Sequence, residues 1–135
     1  MVPQFLWTAP LTLRTRLAVL VTLVIALLCL MPGDEVPKVN LPFLDKGVHL
    51  AMFLGFGLMW RWRFIHGSKI AGGIILAGLV YSVVLELLQS HVASARSFEL
   101  ADIFANLIGT GAGIGICQAV MSKAAAAKAK ASERV

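Results

Sequence analysis

Four apolar stretches, each close to the roughly 20 residues that a helix needs to cross a bilayer, dominate this chain and leave it few ways to fold. They run over about Leu13–Met31, Phe43–Trp60, Lys69–Gln89 and Leu100–Met121. Hydrophobic residues make up 59% of the 135 positions and charged residues 14%, more apolar surface than a soluble domain of this length can hide. Within a bilayer the backbone has to satisfy its own hydrogen bonds, which selects helices. The expected fold is therefore all-α: an integral membrane bundle of four transmembrane helices, forming one domain over residues 1–135.

Breakers separate the stretches. Met31-Pro32-Gly33-Asp34 stops the first, Pro37 and Pro42 bracket a short loop near Gly33–Pro42, and His66-Gly67-Ser68 divides the second from the third. The second stretch is the least apolar, because it opens with Asp45, Lys46 and His49. Without it three spans would remain and the chain ends would lie on opposite sides of the membrane. An amphipathic stretch near Val2–Thr12 precedes the first span. Arg14 and Arg16 ahead of an apolar run also resemble a secretory leader, but no small-x-small cleavage site follows, so the segment is expected to stay as a helix.

The distribution of charge supports four spans. Of the 12 basic residues, Arg14, Arg16, Arg61, Arg63, Lys69, Lys123, Lys128, Lys130 and Arg134 fall on one expected side. Of the 7 acidic residues, Asp34, Glu35, Asp45, Glu86, Glu99 and Asp102 fall on the other. Basic residues near span ends are retained in the cytoplasm, so both termini are expected on the cytoplasmic side of the membrane and the acidic residues on the other. Trp7, Trp60 and Trp62 are expected to mark the inner interface. The net charge of +5 lies along that inner face and in the basic Ala/Lys tail 122–135, where anionic lipid headgroups account for it without nucleic acid. The helix-prone tail can extend the last span. Cys29 and Cys117 are expected at opposite ends of the bundle, too far apart for a disulfide.

The expected outer ends of three segments share an unusual feature, a gathering of ionisable and amide side chains. Asp45 and His49 are four residues apart, with Phe53 four further on, so they project along one helix face with Lys46 beside it. Glu86 and Gln89 lie one turn below the end of the third span, and Ser82 one turn deeper; a carboxylate there needs a cation or a donor to meet it. Asp102 and Asn106 head a stripe that continues inward as Gly109 and Gly113, glycines that let a neighbouring helix approach closely. Gly111 and Gly115 form a second GxxxG on another side, a conceivable homo-oligomer contact. Ser97 is a candidate N-cap before Glu99 and Asp102, and Arg96 would sit over the mouth of the cluster, able to pair a carboxylate or clamp a phosphate. An ordinary membrane helix also uses such residues for end capping, snorkelling and interhelical hydrogen bonds. His66 and His91 suggest no partner.

Asp45-Lys46-x-x-His49-x-x-x-Phe53, Glu86-x-x-Gln89 and Arg96-Ser97-x-Glu99-x-x-Asp102-x-x-x-Asn106-x-x-Gly109 together resemble the motif series of the VanZ-like family over about residues 42–115. Ser94-Ala95 stands before Arg96, where members often carry proline and glycine. The resemblance implies a small bacterial helical membrane protein, in a family named for an accessory protein of glycopeptide (teicoplanin) resistance, and it names no reaction.

Four functions fit these residues. The first is binding or modifying an anionic, lipid-linked envelope component at the outer leaflet through Lys46, Arg96 and His49, oriented by Glu86, Asp102 and Asn106, with Asp45 and Gln89 also in the ligand-binding set. A hydrolase or transferase with His49 as base is the second, although HExxH, P-loop, CxxC and GxSxG patterns are all missing. A small oligomeric proton-coupled transporter using Glu86 is the third, and a scaffold whose polar cluster only fixes packing is the fourth. No metal or cofactor is expected from the sequence, and membrane lipids are the expected partners.

Overall fold

The computed structural model describes residues 8–31, 44–65, 67, 69–92 and 98–132. Several features anticipated above lie outside the described residues: Trp7 and most of the N-terminal stretch, the Gly33–Pro42 loop, His66, Ser97, Arg96 and Arg134. The described residues form four helices and no strand: α1 (Leu11–Cys29), α2 (Leu44–Arg63), α3 (Ala71–Val92) and α4 (Leu100–Ser132). Pro10 precedes α1 with extended backbone, and its carbonyl accepts from the amides of Leu13 and Arg14. The α4 helix continues past Met121 through the alanine-rich tail, as its helix-forming composition predicts.

Three helices, α1, α3 and α4, are long and apolar enough to cross a membrane. The α2 helix is of similar length, 20 residues, but carries Asp45 and Lys46 at one end and Arg61 and Arg63 at the other. The fold explains how this less apolar sequence is tolerated. From Met52 to Arg63 no residue of α2 is exposed, whereas α1 turns Leu20, Leu23 and Leu27 outward, α3 turns Leu76, Val80 and Leu87, and α4 turns Phe104 and Ile108. The helix that meets the least lipid needs the least hydrophobicity.

Side-chain pairings set the topology. Trp60 Nε1 donates to Thr22 Oγ1 at 3.0 Å, and Arg63 Nε donates to Thr15 Oγ1, so α1 and α2 are antiparallel. His49 meets Asn106, while Gly113 lies against Leu54 and Leu58, so α2 and α4 run parallel; α3 runs against both. This alternation suits four successive crossings. It also gathers Arg14, Arg61 and Arg63 at one end of the bundle and Asp45, Glu86 and Asp102 at the other.

Aromatic side chains at three- and four-residue steps line the interior face of α2 and the turn after it. Phe53, Phe56 and Trp60 of α2 and Phe64 just beyond it form a ladder joined by Tyr81 of α3. Trp60 and Trp62, expected as interface anchors, are instead turned inward: Trp60 is engaged by Thr22, and buried Trp62 lies under the Arg14 guanidinium, 5.5 Å from the ring centroid. An indole N–H inside apolar packing needs an acceptor, and a threonine on α1 supplies it. Cys29 and Cys117 form no disulfide, and both are buried.

The closest helix contact is between α2 and α4. A Cβ on Gly109 would strike the backbone of Leu50 and Leu54, one on Gly113 that of Leu54 and Leu58, and one on Gly57 the carbonyl of Thr110. Glycine is required at these positions because backbone meets backbone, with no flexible side chain to give way. Gly111 and Gly115 have no atoms within reach and are exposed.

Candidate functional site

The close approach of α2 and α4 carries their first turns together, and the polar residues of both helices meet there with the end of α3. Lys46 of α2 is the hub. Its ammonium pairs with Glu99, lies 2.9 Å from Asp102 Oδ1 and reaches Asp45 at 3.5 Å. The contact with Asp102 has ion-pair distance without the alignment of a hydrogen bond. Asp45, Lys46 and Glu99 are 55%, 27% and 47% exposed and form an open mouth. His49, Glu86, Gln89, Asp102 and Asn106 are buried beneath it.

The buried layer is ordered by hydrogen bonds between helices. Asn106 Nδ2 donates to Ser82 Oγ at 2.8 Å, which turns Asn106 Oδ1 toward His49 Nδ1, 3.2 Å away. An amide oxygen accepts, so this contact is a hydrogen bond when Nδ1 carries a hydrogen. The other ring nitrogen, Nε2, then faces the carboxylates, with Asp45 Oδ1 at 4.0 Å. Thr110, one turn deeper, donates to the Asn106 carbonyl and closes the stripe against Gly78 and Gly57. Asn106→Ala removes both of its interhelical bonds and should lower stability by about 1 kcal/mol, read as a lower melting temperature in detergent, with Ser82→Ala costing less.

Glu86 meets a donor rather than a cation. Its Oε1 accepts the backbone N–H of Glu99 at 2.8 Å, so a carboxylate of α3 satisfies one of the open amides at the start of α4. In the sequence Ser97 was the candidate for this cap, and Ser97 lies outside the described residues.

Of the eight residues singled out from the sequence, Asp45, Lys46, His49, Glu86, Asp102 and Asn106 are brought together, Gln89 is buried one turn beyond Glu86, and Arg96 lies outside the described residues. Glu99, part of the motif series but not among these eight, becomes a direct partner of Lys46. Sequence reasoning missed Gly57 and Thr110, which set the spacing of the helices. A glycine facing the Gly109–Gly113 stripe was the available signal, but the several glycines of α2 gave no reason to choose it. Around the mouth, Leu44, Val48, Phe98 and Leu100 are exposed, so an apolar rim adjoins the charged groups.

The family model described as VanZ/LLP1 matches residues 26–121. This range contains α2 and α3, all of the cluster and the glycine stripe of α4. No curated protein and no solved structure matches the chain.

Proposed function

The chain belongs to the VanZ/LLP1 family, and from that premise we propose that it holds an anionic, lipid-linked component of the cell envelope at the outer leaflet of the cytoplasmic membrane. The observation that carries this reading is the mouth itself: a partly exposed ammonium, Lys46, fixed over a buried polar layer and bordered by exposed Leu44, Val48, Phe98 and Leu100. A phosphate headgroup suits the first and a hydrocarbon chain the second, and a lipid arrives at such a site by lateral diffusion. Lys46 and Arg96 engage the anion, while Asp102, Asn106 and Glu86 hold together the helix ends around Lys46. The basic residues at the opposite end orient that end, and both termini, toward the cytoplasm.

Two observations separate this reading from the alternatives. Glu86 already accepts a backbone amide at the α4 start, which favours a structural role over a proton-switched carboxylate in transport. Lys46 and Glu99 remain accessible, whereas a cluster serving packing alone would gain nothing from an open mouth. Native mass spectrometry from membranes tests the proposal. The wild-type chain is expected to retain an anionic isoprenoid lipid, and Lys46→Ala with Arg96→Ala is expected to release it while the protein stays folded. Undiminished retention in the double variant overturns the proposal.

A further inference from the structure

We propose that Asp45, His49 and Asp102 form a binding site for one divalent transition metal ion, with zinc and manganese as the fitting candidates. Each of the three residues offers a ligand atom, and these atoms lie within 4.8 Å of one another. Asp45 and His49 are one turn apart on α2, and Asp102 is brought from α4 by the glycine contacts that press the two helices together. A mixed set of carboxylates and one imidazole suits borderline cations of this kind. Metal bonds of about 2.0–2.2 Å require the set to contract, and Asp45, the most exposed of the three, is the side chain free to move inward.

Two further observations point to a cation at this place. The first is the imidazole. His49 is 3% exposed, with Nδ1 3.2 Å from the Asn106 side-chain oxygen and Nε2 4.0 Å from Asp45 Oδ1. The ring nitrogen that Asn106 does not engage is thus the one directed at the carboxylates, the orientation that a metal-binding imidazole needs. The Asn106 bond also fixes the ring orientation in the way that partners of metal-binding histidines do. The second is Asp102, 5% exposed, whose Oδ1 lacks an aligned hydrogen bond even though the Lys46 ammonium is near. Among the described residues of the cluster, Asp45, Glu99 and Asp102 share one lysine, an excess of negative charge that a divalent ion offsets. Lys46 then moves wholly onto Glu99, its other partner.

The metal site does not depend on the lipid reading. An ion held by three protein atoms keeps coordination positions open for water or for an oxygen of a bound anion, so the two sites can also act together. No sequence motif announces it, since the third ligand comes from a different helix.

The test is calorimetric titration of the full chain, purified in detergent and stripped with a chelator, using zinc chloride and manganese chloride separately. One ion of at least one metal is expected per chain. Asp45→Asn, on the exposed ligand, tests the site without burying a new defect and should weaken binding at least tenfold, as should His49→Ala and Asp102→Asn. Asn106→Ala should weaken it by about tenfold through the ring orientation. Lys46→Met, which removes the competing ammonium, should retain or tighten binding; this separates the metal site from the lipid site, where loss of Lys46 weakens the interaction. No heat of binding with the wild-type chain, or binding unchanged in folded Asp45→Asn and His49→Ala, overturns the proposal.

Discussion

Gly113→Leu is expected to destroy the assembled bundle, whereas Gly111→Leu, two positions away on the same helix, is expected to leave it intact. A side chain on Gly113 meets the backbone of Leu54 and Leu58, and neither can move without displacing the whole of α2. The cost should reach or exceed about 3 kcal/mol, the upper end of the range for overpacking a core, even though leucine is the better helix former. The damage extends to the site, because α2 carries Lys46 and His49 away from Asp102 and Asn106 as it shifts. Gly111 has open space around it, so its substitution isolates the effect of contact from the effect of side-chain size. Melting temperature and yield of monodisperse protein in detergent read both variants. A severe loss in Gly111→Leu would reveal a contact between copies of the chain at that face.

The Lys46 and Asp102 pair should give the second large effect. Lys46→Met leaves the Asp102 carboxylate buried with its ammonium gone, and breaking a buried pair from one side costs about 3–5 kcal/mol. The Lys46 side chain is 27% exposed, so solvent screening reduces the expected loss to about 2–3 kcal/mol. Asp102→Asn should cost less, because Lys46 keeps Glu99 and Asp45. The double variant Lys46→Met with Asp102→Asn should recover much of the loss, since no uncompensated charge remains. Strict additivity of the two single effects, measured by denaturation in one detergent, would mean that the pair does not couple. A further expectation follows from the metal site: added zinc or manganese should restore part of the stability of Lys46→Met by binding the folded state.

The sequence made one half of this architecture legible through periodicity. Asp102, Asn106, Gly109 and Gly113 share a helix face whatever surrounds them, and an apolar segment cannot expose an acid and an amide to lipid without cost, so a partner helix was implied. Asp45 and His49 had the same property. The identity of the contacts was beyond one-dimensional reading. Glu86 binds the Glu99 amide because the start of α4 lies against the end of α3, a matter of geometry that residue type does not encode. Trp60 and Trp62 have the composition of interface anchors, but Thr22 and Arg14 on α1 draw them inward. The α2 helix read as the weakest span because hydropathy measures contact with lipid, and α2 has little.

The proposed orientation puts the acidic, lysine-centred end of the bundle outside the membrane and the arginine-rich end inside. Labelling of single cysteines in intact cells with a membrane-impermeant maleimide tests it most directly, in a background carrying Cys29→Ala and Cys117→Ala. Glu99→Cys is expected to react in intact cells, and Lys69→Cys only after permeabilisation. Reaction of both positions from the same side, or the reverse pattern, would contradict the account.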